Sequence, residues 1–540
     1  MKLYSICLSV LFGVISAVPV WGQETPTRGS KDWHLRDPES DHAAGVSVER
    51  TYGTLLKGQP SQKVLVAVID TGIDINHEDL QGMIWTNPHE IPENGIDDDH
   101  NGYIDDVHGW NFIGGKGGNV TEDTGEITRE YVRLKSLFDS IPESKLRRKQ
   151  KAEYDRYLRI KKTFEKTRAD NQREYQAYKS LYRNLTESVD TLKKILHAPH
   201  LNAAALDTFK TDVPALLFAK GYTLRFLRRM GEQVEIDSLL HEIKVAVDYY
   251  RVVVEYNYNP DFDSRRMVGD DSNNLHERYY GNNDVMGPDP EHGTHVAGII
   301  AANRNNNIGI KGIADQVTIL PIRAVPPNGD ERDKDVANAI RYAVDNGAMI
   351  INMSFGKSFS PGKQVVDEAV HYAEQKGVLL VHAAGNDGQN VDEKVDYPSR
   401  YYLSGKEAGN WLEVAASGRE ESNFVATFTN YGKKTVDVFA PGVDIYSSVP
   451  GNKYKNESGT SMASPVAAGV AALLKSYFPD LTAVELREII VNSSRKMDGI
   501  RVNRPGGGKT ELNALSRSGG LVNAYEAVRL ARLRPAKRIQ

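Results

Sequence analysis

Three side-chain types in one chain order carry the chemistry open to this sequence: a carboxylate, an imidazole and a serine hydroxyl. The serine is Ser461, in Gly459-Thr460-Ser461-Met462-Ala463-Ser464-Pro465, which runs into the small-residue apolar segment Val466 to Leu474. A hydroxyl that must attack a carbonyl gains from standing at the first turn of a buried helix, where unpaired backbone N–H groups and the positive dipole end can hold an oxyanion. Taken alone, the stretch reads as a Gly/Ser loop that caps a core helix. A serine oxygen is a weak nucleophile until a base takes its proton and a third group orients that base. The sequence supplies both. Val64 to Ile69 is an unbroken apolar run, read as a buried strand that delivers Asp70 at its carboxyl end, followed by Thr71-Gly72. Glu291-His292-Gly293-Thr294-His295 opens a second small-residue helix with His292 at its start.

These three motifs, in the order Asp, His, Ser, resemble those of the subtilisin-like serine peptidases. A fourth agrees: Val381-His382-Ala383-Ala384-Gly385-Asn386 ends an expected strand in an Ala-Ala-Gly-Asn turn. The resemblance implies a triad of Asp70, His292 and Ser461, with Asn386 as side-chain donor to the oxyanion. It selects His292 over His295, which stands one helical turn on and is expected to pack within the fold. It also implies that backbone at Ser354, Phe355 and Gly356, and at Ala383, Ala384 and Gly385, pairs with an extended substrate. The activity implied is that of a serine endopeptidase acting on protein or peptide substrates through an acyl-enzyme. Asp392, Glu393 and Asp396 fall where the family places walls of its main specificity pocket, which points to basic side chains. A binding protein that keeps such a fold but no longer cleaves would usually have lost one of these groups, and all four motif residues are present. The Ser461 motif is not Gly-x-Ser-x-Gly, and the triad order differs from that of the other common serine-esterase fold.

The elements that must position these residues alternate strand with helix. Val317 to Val325, Ala348 to Met353, Val378 to Ala383, Trp411 to Ala416 and Val436 to Phe439 read as strands, with helices at Asp333 to Asn346 and Lys363 to Lys376 between them. The fold class expected is α/β: a mostly parallel, subtilisin-like sheet with helices on both faces, carrying functional residues at strand and helix ends. More chain separates Asp70 from His292 than a compact fold of this kind needs. Residues 122–268 are therefore read as a helical insertion between catalytic parts 63–121 and 269–540. Inside it Tyr175, Tyr178, Tyr182, Leu185, Val189, Leu192 and Leu196 alternate steps of three and four, as do Ile236, Leu240, Ile243, Val247, Tyr250 and Val254. Two such seams predict an antiparallel helical hairpin with shorter helices at its tip.

Lys2 and the mainly apolar run Leu3 to Val20 fit a signal peptide over residues 1–22, followed by a polar N-terminal extension over 23–62. The localisation expected is secreted or periplasmic, with no stable membrane span after cleavage. Cys7, the sequence's only cysteine, lies in that first segment, so disulfides and a thiol nucleophile are excluded beyond it. A net charge of −5 over 540 residues, with no dominant basic face, gives no reason to expect nucleic acid.

Calcium is the natural structural staple for an exported chain without disulfides. Asp97, Asp99 and Asn101 at alternate positions, Gly102, then Asp105 and Asp106, form the first half of an EF-hand-like loop. The loop lacks the closing glutamate, since its twelfth position is His108. The alternative is a solvated acidic turn. By resemblance, Asp79 matches a carboxylate that ligates a structural calcium in many family members, and 303–307 matches their calcium loop. Otherwise Asp79 caps a turn.

Overall fold

The structure is a computed structural model and describes residues 31–230, 234–420, 423–497 and 499–534. The expected signal segment, 1–22, lies outside the described residues. The chain forms two compact units: a larger one over Arg28–Glu126 and Asp263–Gln540, and a helical one over Ile127–Phe262.

The larger unit is built on a nine-stranded sheet among the described residues. Its strands are β1 (Val64–Asp70), β2 (Trp110–Asn111), β3 (Val317–Arg323), β4 (Ile350–Met353), β5 (Leu379–Ala383), β6 (Trp411–Ser417), β7 (Val438–Pro441), β8 (Arg495–Lys496) and β9 (Gly520–Leu521). Their spatial order is β8-β9-β7-β6-β5-β4-β1-β3-β2, and all pairs are parallel except β8 with β9. The interior strands are apolar throughout because helices cover both faces. Four helices do most of this: α1 (Glu291–Ala301), α2 (Asp333–Asp345), α3 (Lys363–Gln375) and α4 (Thr460–Tyr477).

The pleat sorts β1 between the two faces. Val64, Val66 and Val68 pack with α1 and the long apolar α4, while Ala67 and Ile69 pack with α2 and α3. Side chains alternate with a period of two, so Asp70 emerges on the α1/α4 face. Strand order also reverses here: from β1 the chain goes outward to β3 on one side, and from β4 outward to β5 on the other. The crevice beyond the carboxyl ends of β1 and β4 is thus a topological switch point, where sheets of this kind place their sites. Ile69 is in register with Met353, so Asp70 and Ser354 stand together at its mouth.

The described part of the expected extension, 31–62, belongs to the larger unit. Trp33, Leu35, Val46, Val48 and Leu56 are buried in the same core as α1 and α4, and Tyr52 Oη donates to Asp315 Oδ1 at 2.9 Å. Its polar composition hid a few apolar anchors at irregular spacing. The helical unit is a few residues shorter at each end than 122–268. The reason is ionic: Arg332 Nε donates to Asp123 at 2.7 Å, Lys357 Nζ to Glu126 at 2.7 Å and Arg265 Nη1 to Asp335 at 2.7 Å. These ends are charged in sequence but pinned to the larger unit's core.

Within the helical unit the expected seams form. Tyr175, Leu185, Val189 and Leu192 of the helix Lys151–Leu196 are buried with Ile236, Ile243, Val247 and Tyr250 of the helix Ile236–Val252. A third helix, Pro214–Met230, shares that core through Ala219, Leu224 and Leu227 rather than sitting at a tip. Near its other end Tyr131 stacks on Phe164 with ring centroids 4.2 Å apart.

Candidate active site

Asp70 is the last residue of β1 and is buried. Its Oδ1 accepts the Thr71 N–H and lies 2.7 Å from His292 Nδ1. A carboxylate oxygen accepts, so Nδ1 carries the proton and Nε2 is the basic nitrogen. Helix α1 can come this close because Gly293 has no side chain: a Cβ there would stand 2.1 Å from Gly72 O and 3.1 Å from Asp70 Cβ. Burial acts to lower the His292 pKa, but the Asp70 carboxylate outweighs it and pushes the imidazole up to about 9. His295 is a contrast. It is fully buried, its Nε2–H donates to Lys455 O at 3.2 Å, and burial holds its pKa down at about 3. It is a neutral packing residue.

Ser461 lies in the first turn of α4, which packs beside α1. Its hydroxyl donates to Ser354 O at 3.2 Å, not to His292. The carbonyl of Ser461 shows a feature that motif reading missed. Pro465 has no N–H to give to the carbonyl four residues back, and Ser354 Oγ fills that role at 3.0 Å. Ser354 Oγ is held in turn by Asn352 Nδ2 at 2.9 Å and paired with Ser464 Oγ at 2.8 Å. Ser354, expected to act through its backbone, thus also fixes the nucleophile's turn by its side chain. The proline four positions after the serine was the available signal.

Asn386 has its amide orientation settled by its partners. Oδ1 accepts both the Thr460 N–H at 2.9 Å and the Thr460 hydroxyl at 3.0 Å, so Nδ2 faces the other way. A Cβ placed on Gly459 would stand 3.6 Å from Ser461 N and 3.7 Å from Asn386 Nδ2. Two donors therefore flank the bare face of Gly459, an arrangement suited to a developing oxyanion. The expected substrate-pairing segments divide. Gly356 is exposed, and its N–H and C=O take no hydrogen bond among the described residues. Ala384 and Gly385 already use their backbone groups: Ala384 N–H donates to Val414 O, Gly385 N–H to Thr460 Oγ1, and their carbonyls accept from Asn430. They line the cleft instead of offering a free strand edge.

A model of the subtilase family matches residues 61–515. The chain belongs to the subtilase family. Among its relatives, the thermophilic serine proteinase of Bacillus sp. (strain AK1) is 40% identical over 46% of this chain and 55% of that protein. Thermitase of Thermoactinomyces vulgaris is 38% identical over 44% of this chain and 74% of that protein. Subtilisin Savinase of Lederbergia lenta is 36% identical over 44% of this chain and 77% of that protein. The chain spans about half the length of several of these relatives.

Acidic groups elsewhere in this subtilase bear on a cation. Glu90, Asp99 and Asp106 place one carboxylate oxygen each within 4.8 Å of one another. Glu90 Oε2 is buried with no hydrogen-bond partner among the described residues. Burial pushes Asp106 up to about 6, although Tyr342, Asn87 and Asn101 hydrogen-bond to it. Three clustered carboxylates with neutral neighbours and one orphaned oxygen fit an oxygen-seeking divalent cation. Of the loop residues expected to bind, Asp99 is in this cluster and Asn101 touches it, with Nδ2 at 3.1 Å from both Asp99 and Asp106. Asp97 and Asp105 are elsewhere: Asp97 accepts the N–H groups of Asn101 and Gly102, and Asp105 those of Asn94 and Gly95. They close turns. Glu90 was missed because it precedes the EF-hand frame. Asp79 is buried alone among neutral donors, accepting Asn306 Nδ2 at 2.7 Å and Ile310 N–H at 2.8 Å. It does meet the 303–307 loop.

Proposed function

We propose that this subtilase is a serine endopeptidase that hydrolyses peptide bonds through an acyl-enzyme. The observation that carries the reading is the 2.7 Å contact between Asp70 and His292 on the sheet face that also holds Ser461. In the reaction a change of Ser461 rotamer turns its hydroxyl from Ser354 O toward His292, since catalytic hydrogen bonds often tighten only with substrate bound. His292 Nε2 takes the hydroxyl proton as Oγ attacks the carbonyl. Asp70 keeps the proton on Nδ1 and stabilises the imidazolium. Ser461 N–H and Asn386 Nδ2 take the oxyanion, and His292 then protonates the leaving amine. Water repeats the sequence to release the acid.

The base must be neutral to work, so the pKa of His292 sets the acid limb. Labelling of Ser461 by a serine-directed fluorophosphonate should rise about tenfold per pH unit and level off near the folded-state value of about 9. Peptide mapping that puts the label on another residue, or a rate flat from pH 6 to 9, would sink the reading.

Calcium as a structural ion and export of the chain are part of the same proposal. When bound, the ion would neutralise Glu90, Asp99 and Asp106. It would hold the 90–106 loop and take no part in the reaction. No helix among the described residues is long and apolar enough to cross a membrane. A ligand that binds only the folded state stabilises it by about 2.7 kcal/mol at a hundredfold excess over Kd. Chelator should therefore lower Tm by several degrees, and by clearly less in a Glu90→Gln variant. An identical Tm with and without chelator would remove calcium from the account.

A further inference from the structure

Two segments flank the nucleophile, and one carboxylate stands between them. Ser354 to Gly356 follows β4, and its first carbonyl takes the Ser461 hydroxyl. Ala383 to Gly385 ends β5 and reaches the same helix start through Gly385 N–H and Thr460 Oγ1 at 3.1 Å. A Cβ on Gly356 would lie 2.8 Å from Asp396 Oδ2, and a Cβ on Gly385 only 2.6 Å from it. One oxygen of Asp396 therefore rests against the bare α-carbons of both segments. Any side chain at either glycine would fill the approach to it.

This carboxylate lacks a cation of its own. Its other oxygen accepts the Tyr397 N–H at 3.2 Å. It forms no ion pair with lysine or arginine among the described residues, yet solvent reaches it. The nearby positive charge is His382, whose Nδ1 faces Glu413 Oε1 at 2.9 Å and whose Nε2 faces Phe355 O at 2.9 Å. Both partners only accept, so both nitrogens donate and the ring is an imidazolium. Its charge is matched by Glu413, and Asp387 adds a further negative group. Lys357 is turned to Glu126 and Asp333. Burial pushes Asp396 up, His382 draws it down, and Glu413 and Asp387 add to the rise, leaving it at about 7. An enclosed carboxylate of this kind gains most from a cation that brings hydrogen-bond donors.

We infer that Asp396 selects the substrate residue whose carbonyl Ser461 attacks, and that it takes lysine or arginine there. The side chain of that residue is the one nearest Ser461, and the two glycines leave it the route to Oδ2. The other two acids expected near this pocket do not serve. Asp392 accepts the Lys434 and Thr435 N–H groups, and Glu393 is exposed and accepts from Asn390. The inference rests on the peptidase reading of Ser461.

The test uses peptides that differ only at the residue before the cleaved bond, Lys or Arg against Leu or Phe. Wild-type protein should prefer the basic pair. The ratio of kcat/KM for Lys to that for Leu should fall about 10- to 100-fold in Asp396→Asn and stay above one in Asp396→Glu. In Ser461→Ala, p-aminobenzamidine should bind, and adding Asp396→Asn should weaken it by a similar factor. An apolar preference in wild type, a ratio unmoved by Asp396→Asn, or no p-aminobenzamidine binding overturns the inference alone. No hydrolysis of any peptide together with no fluorophosphonate label on Ser461 overturns the peptidase reading and the inference with it.

Discussion

Ser461→Ala should lower kcat roughly 10⁶-fold on any peptide substrate, and His292→Ala by about as much, with the double variant no worse than either. The two act as one unit, because an unactivated hydroxyl and a base without a nucleophile are equally idle. Asp70→Asn should cost about 10⁴-fold, since an amide facing Nδ1 can donate to it and so favour the tautomer with the proton on Nε2. All three variants should fold. Ser461 is partly exposed with a single hydroxyl contact, and the α1–β1 junction rests on Gly293 and on apolar packing. The check is kcat on a chromogenic peptide, with purity controlled by titration of active serine. Additive losses in the double variant, or wild-type rates in Ser461→Ala, would show that the hydroxyl is not the nucleophile.

What could be read from sequence divides by the range of the interactions involved. Asp70 was legible because an unbroken apolar run can only be a strand covered on both faces, which puts its first polar residue at the carboxyl end. His292 and Ser461 were legible because small residues around them signal close helix packing. Asp70 and His292 meet across a gap in sequence that holds the whole helical unit, and only the motif order linked them. The heptad-like seams of that unit were legible for the same local reason. Its limits were not, because Asp123, Glu126 and Arg265 look like surface charge until Arg332, Lys357 and Asp335 are placed beside them.

The acidic loop failed differently. Alternating oxygens at Asp97, Asp99 and Asn101 follow a known spacing, but spacing does not say which carboxylates the backbone itself will claim. Asp97 and Asp105 are taken by turn N–H groups. That leaves Asp99 to meet Asp106 and the distant Glu90. In the specificity pocket the same competition separates Asp392, used by a turn, from Asp396, which is not.

Removing the Asn386 donor should lower kcat about 10²–10³-fold, roughly 2.7–4 kcal/mol of transition-state stabilisation, while changing KM much less. The difficulty is that Asn386 does two things. Its Oδ1 holds the Thr460 N–H and hydroxyl, and so the start of α4, while its Nδ2 faces the space beside Gly459. Asn386→Leu loses both roles and cannot tell them apart. Asn386→Asp can, because a carboxylate keeps the acceptor for Thr460 and puts a second negative oxygen where the donor was. If the residue only anchored the helix, the aspartate variant would be nearly as active as wild type. If it is an oxyanion donor, aspartate should be at least as damaging as leucine at neutral pH, since like charges now meet in the transition state. Gly459→Ala supplies an independent probe of the same space. Its methyl would stand 3.6 Å from Ser461 N and 3.7 Å from Asn386 Nδ2, in the volume the oxyanion must enter. It should therefore lower kcat with little change in Tm. A fully active Gly459→Ala protein, or an Asn386→Asp protein faster than Asn386→Leu, would place the oxyanion elsewhere.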